Sequence, residues 1–238
     1  MSLLAIIQNA ADRLGLTRPS SVVTSSDPLA MTLLGLAQEE GKTLARRHSW
    51  QVLQSEYTFP TVGETSSYAL PAGFDRILVD TVFNRTTHRR MVGDLTPAQW
   101  QESQASQVTI INPAFRIRGN LFYINPTPSV SAQTIAYEYI SKNWCQSAAE
   151  VGQTAWASDA DTGILDEELM TLGIVWRFKS AKGLDYAESM TNYEMQVANA
   201  VARDGAPMRI QTDTDPECDA PRFNSGVVIG TVTDGAFD

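Results

Sequence analysis

The spacing of apolar residues changes twice along this 238-residue chain, and those two changes constrain its fold more than any other feature. Leu3, Ile7, Ala10 and Leu14 recur at steps of four and three, which marks one face of a helix. Gly15 supplies the stop. Asp27 followed by Pro28 is a strong helix start, with a capping carboxylate and then a proline at the first helical position. From there Leu33, Ala37, Leu44 and His48 share one side of a second helix. Gly41 lies on that same side. A glycine in a helix costs about 1 kcal/mol relative to alanine, so its presence predicts close packing against a neighbour. Arg46 and Arg47 suit the negative end of the helix dipole.

After Trp50 the period shifts towards two. "WQVLQSEYTF" and "SSYALPAGFDRILVDTVFN" are rich in β-branched and aromatic residues, punctuated by Pro60 and Pro71. "AFRIRGNLFYINP" reads as a hairpin, with Phe115 and Ile117 alternating with Arg116 and Arg118 and Gly119-Asn120 as the tight turn. In "TIAYEYI", Ile135, Tyr137 and Tyr139 face one way and Glu138 the other. One short helix interrupts this region, with Thr96 as its cap and Pro97 at its first position.

Helical spacing returns with Leu165, Leu169, Leu172 and Trp176. A second stripe follows: Tyr186, Met190, Tyr193, Val197 and Val201. Lys182-Gly183 separates the two helices, and Asp185 caps the second. Apolar stripes at both ends of a chain must be buried, and the economical solution is burial against each other. The expected fold is α+β: a helical bundle from residues 1–50 and 164–205, an inserted antiparallel β-rich domain at 51–142, a polar loop at 143–163, and an extended C-terminal arm at 206–238. Two separate helical subdomains are the alternative.

The arm carries six acidic residues against two arginines. Two β-prone patches, "MRIQT" and "GVVIGTV", lie among turn formers. Such a segment buries too little surface to fold by itself. It is suited to docking on another protein as an added strand or extended arm. A purely solvating acidic terminus is the alternative, but it has no use for a valine–isoleucine run, which invites aggregation when left exposed.

The net charge of −9 disfavours sequence-reading DNA binding, because an acidic surface repels the phosphate backbone. Nucleic acid that must slide past without sticking remains compatible. Cys145 and Cys218 form no pairing motif and are expected as free thiols of a reducing cytoplasm. The opening stretch lacks a basic region and is interrupted by polar residues, unlike a signal peptide. No apolar run nears the roughly 18 residues needed to span a bilayer, so no membrane partner is expected.

The sequence carries no recognisable catalytic signature. A nucleophile needs a base and an orienter, yet there are only two histidines and no G-x-S-x-G motif. His48 is read as a partly packed helix-end residue. Zinc patterns and phosphate-binding glycine loops are absent. The pairs Glu39-Glu40 and Glu167-Glu168 are read as solvated charge, since adjacent helical residues point about 100° apart. "DADTG" at 159–163 hints at a calcium loop whose remaining spacing fails. No catalytic residue, cofactor or metal is expected. The cluster Arg85, His88, Arg89 and Arg90 stands out, either as a surface for an acidic neighbour (another copy's tail among them) or as a hairpin tip charged for solubility.

Taken in order, "LLAIIQNAADRLGL", "SSDPLAMTLLGLAQEEGKTLARRHSWQVLQSEYTF", "SYALPAGFDRI", "FRIRGNLFYINP", "YEYI" and the last two helices resemble the bacteriophage head-to-tail adaptors, also called tail tubular protein A or head completion proteins. The resemblance spans residues 2–204; its most characteristic parts are "SYALP-x-x-F-x-R" and "WR-x-x-x-x-KGLDY". It implies a structural virion protein, assembled in the host cytoplasm, that forms a twelvefold ring under the portal. Such a ring extends the DNA channel and provides a platform for tail or nozzle proteins. By that resemblance the arm is a portal-binding element, with Ile210, Phe223, Val227, Val228 and Ile229 as its contacts. Two alternatives stand beside it: a neck or tail-completion part without direct portal contact, and a peptidoglycan hydrolase, for which the sequence offers no carboxylate constellation.

Overall fold

Two helices open the chain. Helix α1 (Leu3–Leu14) ends where the sequence predicts. Gly15 takes a left-handed φ of 67°, its N–H donates to the Asp12 carbonyl, and the Leu16 N–H donates to the Ala11 carbonyl. That reciprocal pair closes the helix, and only glycine adopts its conformation without strain. Helix α2 (Pro28–Arg47) starts with the Asp27 carboxylate accepting from the Leu29 N–H at 3.1 Å. These features come from a computed structural model, which describes residues 1–78, 80–105 and 113–205. Within it, Met1–Asp204 form one unit.

Strands follow: β1 (Gln54–Pro60), β2 (Ser67–Ala69), β3 (Phe74–Ile77), β4 (Phe83–Asn84) and β5 (Arg89–Arg90). Helix α3 (Pro97–Ala105) is closed by a capping box, in which Gln99 N–H donates to Thr96 Oγ1 and Thr96 N–H donates to Gln99 Oε1. Then come β6 (Ala114–Arg118), β7 (Leu121–Asn125) and β8 (Thr134–Ser141). The β6–β7 hairpin turns at Gly119 and Asn120, both at positive φ, as the Gly-Asn pair predicts.

Among the described residues every paired strand is antiparallel to its partner, and one isolated bridge, Val92–Ala114, is parallel. Strand β8 is the hub of the largest sheet: β1 pairs along one side, and on the other β4 pairs near Ile135 and β3 near Ile140. Strand β1 lies at one edge of that sheet and β5 at the other. A second sheet has the order β2-β7-β6. The two sheets face each other across an aromatic interior. Phe122 stacks between Phe115, with centroids 5.0 Å apart, and Tyr137, 5.4 Å away. Phe59, Met91, Ile135 and Tyr139 complete this core.

Residues 143–163, expected as a polar loop, prove partly structural. They hold β9 (Cys145–Gln146), β10 (Gly152–Gln153) and β11 (Thr162–Gly163), a small sheet with β9 at its centre. Trp144, Cys145 and Trp156 are buried among the helices, the two indoles meeting edge-on at 5.1 Å. The polar residues between these anchors mask the pattern, because one adjacent pair of apolar side chains and a distant third have no period to detect.

The chain closes with α4 (Glu167–Ala181) and α5 (Ala187–Asp204), separated by Gly183 at φ 68°. Helix α4 packs on α1, α2 and α5, so one apolar core draws on both ends of the chain. Gly41 meets its predicted close neighbour: a Cβ placed there would lie 2.2 Å from the Trp144 ring. The second C-terminal stripe is only half buried. Tyr193 and Val197 enter the core, whereas Tyr186 (41% exposed), just ahead of α5, and Met190 (39% exposed) stay outside. Among the described residues no helix is long and apolar enough to cross a membrane.

Candidate partner-binding surface

The basic cluster forms the β4–β5 hairpin. Phe83 pairs with Arg90 and Asn84 with Arg89. The buried Asn84 side chain shapes the tip: its Oδ1 accepts from the N–H groups of Thr86 (3.1 Å) and Thr87 (3.0 Å), and its Nδ2 donates to Gln133. His88 completes the turn at a positive φ of 54°. The hairpin is thus a rigid element set on β8.

Its charges are answered from within the chain. Arg85 forms an ion pair with Glu56 on β1, and Arg90 with Asp80. Glu56, Asp80, Phe83, Arg85, His88 and Glu138 surround an open cleft of about 700 Å³ on the outer face of the large sheet. Glu56 and Glu138 are direct cross-strand partners, a like-charge pairing that is unfavourable by itself. Arg85 reaches Glu56, while no ion pair of Glu138 is found among the described residues. Arg89 instead borders a smaller neighbouring cleft with Thr61, Thr87 and Met91. The arrangement is a mixed-charge, solvent-open surface suited to recognising another polypeptide. Ile210, Phe223, Val227, Val228 and Ile229 lie outside the described residues.

One constellation eludes sequence reading altogether. Glu40, expected as solvated charge, is completely buried. Tyr193 Oη donates to its Oε1, and Arg177 Nε donates to its Oε2 at 2.7 Å. Arg177 also reaches Glu39 at 2.5 Å. Gly173 makes the room, since a Cβ there would lie 2.2 Å from Glu40 Cδ. This node joins α2, α4 and α5, and Arg47–Glu194 (2.6 Å) adds a surface tie between α2 and α5. Burial, reinforced by the Glu40 charge, pushes the Tyr193 hydroxyl above its ordinary pKa. Adjacency misled the reading of Glu39-Glu40: the roughly 100° between neighbours puts one carboxylate in solvent and the other in the core. Gly173, a glycine inside a helix, is the sequence signal that could have exposed it.

The other acidic groups are structural too. Glu168 pairs with Arg13 at 2.7 Å, and Glu167 with the N-terminal amine. In the supposed calcium loop, Asp159 accepts from the N–H groups of Val22 and Val23, and buried Asp161 accepts from those of Ala157 and Ser158. Among the described residues no three His, Cys, Asp or Glu side chains form a metal-holding group. His48 sits at the end of α2, edge-on to Trp50 and 3.2 Å from Asp204. Cys145 is a free, buried thiol whose pKa burial pushes up to about 12.

Set beside known proteins, residues 1–218 match a family model described as SU10 adaptor protein. No curated protein matches the chain.

Proposed function

The chain belongs to the SU10 adaptor protein family, a family of phage head-to-tail adaptors, and on that premise we propose that it assembles as a ring between the portal and the tail of a virion. The observation that carries this reading is the family match, which covers both described cores and runs to residue 218. A structural role agrees with carboxylates such as Asp159, Asp161, Glu167 and Glu168, which hold neighbouring backbone or pair with neighbouring charges. The ring, twelvefold by resemblance, extends the DNA channel and presents a platform to tail or nozzle proteins. The net charge of −9 suits a channel lining, since repeated copies of an acidic protein repel duplex DNA and let a genome pass without adhering.

In this reading the helical bundle carries the inserted β domain, and the arm at 206–238 grips the portal through Ile210, Phe223, Val227, Val228 and Ile229. Arg85, Arg89 and Arg90 lie on a separate contact surface. Assembly takes place in the host cytoplasm. Mixing purified protein with portal rings tests the proposal: co-sedimentation is expected, and replacing Val228 and Ile229 by aspartate is expected to abolish it. Protein that stays in the supernatant at micromolar concentrations refutes portal binding.

A further inference from the structure

Strand β1 is seven residues long, and among the described residues nothing pairs with its outer edge. A long open edge is a template for another strand. Its two faces differ in chemistry. Tyr57 and Phe59 point into the aromatic core, their rings 6.0 Å apart, so a strand added beside them gains apolar contacts on that side. The opposite face presents Glu56, with Glu138 directly across on β8, and among the described residues only Arg85 forms an ion pair with that couple. A strand that fits must therefore alternate apolar and cationic residues, with the cation opposite Glu56.

The chain contains such a segment. Met208-Arg209-Ile210-Gln211 alternates in that way, and follows Pro207. Building on the self-association proposed above, we infer that residues 207–211 of a neighbouring copy add to β1 as an antiparallel strand, with Arg209 facing Glu56 and with Met208 and Ile210 on the Tyr57 side. Two observations favour the neighbour's segment over the same copy's. Among the described residues all ladders of this sheet are antiparallel, the pairing that is more stable per residue. Asp204 is held beside Gln51, its carboxylate accepting the Gln51 N–H at 3.0 Å, just ahead of the start of β1. A segment departing from there could follow its own β1 only in the parallel sense. A contact in which each copy offers an arm and receives another is heterologous, the type that closes into rings. The proximal half of the arm then links copies, so Ile210 moves from the portal contact proposed above to this one, leaving Phe223 and the distal "GVVIGTV" for the portal.

The test uses the full chain with Cys218→Ser, Glu56→Cys and Arg209→Cys; Cys145 is fully buried and does not compete. Mild oxidation is carried out both in concentrated solution and on portal rings, and products are separated without reductant. The expected result is a ladder of disulfide-linked dimers and larger species in at least one of the two settings. A second measurement is sedimented mass: Glu56→Arg and Arg209→Glu each lower it, and the two together restore it. Cross-linking confined to single chains, absence of cross-links in both settings, or no recovery in the double charge swap overturns the inference. The outcome is separable from portal binding: a missing ladder with intact portal co-sedimentation sinks only this inference, and the reverse result sinks only the portal contact.

Discussion

The helical core and the sheet core solve the same burial problem in different ways. Between the sheets the interior is almost wholly apolar and aromatic, with Phe122 sandwiched by Phe115 and Tyr137, and charge is kept on the outer face around Glu56 and Arg85. Around α4 the apolar packing encloses a charged node, Glu40 with Arg177 and Tyr193. The contrast teaches where each region's specificity comes from. Stacked rings define the sheets' register through shape. The helices have interchangeable leucine and alanine faces, and a polar contact that works in one arrangement only selects among their packings.

The largest effect is expected at that node. Glu40→Ala leaves Arg177 with only the exposed Glu39 and Tyr193 Oη without this acceptor, and should cost about 3 kcal/mol in urea unfolding; a loss under 1 kcal/mol would mean that the helices do not depend on the charge. Phe122→Ala should cost the sheet core about 3 kcal/mol. If the two cores are independent, the double variant loses the sum of the single losses within about 0.5 kcal/mol, and a larger departure shows that β8, which contributes Ile140 to one core and Tyr137 to the other, couples them.

Gly41→Ala sharpens the comparison on the helical side. The added methyl must displace the Trp144 ring, so a net loss of about 2 kcal/mol is expected despite the better helix propensity of alanine. A more stable variant would refute the close packing. Each core also holds one tyrosine raised above its ordinary pKa by burial: Tyr137 between the sheets and Tyr193 beside Glu40. These shifts, with that of the Cys145 thiol, favour the protonated forms in the folded state. Their stabilisation is fully present below the unfolded-state values of about 8.5 for cysteine and 10 for tyrosine, and is lost as pH rises beyond them. Absorbance titration should show two of the seven tyrosines ionising only with unfolding. Smallest of all is Arg85→Ala, a solvent-exposed pair with Glu56 whose loss should cost at most about 0.5 kcal/mol.

Much of this fold was legible residue by residue. Gly15, Asp27-Pro28, Thr96-Pro97, Gly119-Asn120 and Gly183 all act where they stand, because caps and turns are settled by a few neighbouring residues and their φ preferences. Gly41 announced a close neighbour without naming it. The candidate surface was legible only as a list of cations. Their carboxylate partners, Glu56 and Asp80, lie 29 and 10 residues away from Arg85 and Arg90, respectively, and nothing in local spacing assigns such pairs.

What the sequence by itself determined was the order of the helices and of the longer strands, their caps and turns, and most of their apolar faces, since these follow from short-range sterics and the two periods of the backbone. Tertiary structure alone decided that Glu40 is a core residue while Glu39 is not, that Trp144 and Trp156 turn a polar stretch into part of the interior, and that Tyr186 and Met190 remain outside. The reason is that burial of a given side chain depends on what another part of the chain brings to it. A carboxylate becomes tolerable in the interior only once Arg177 and Tyr193, more than a hundred residues on, have arrived beside it.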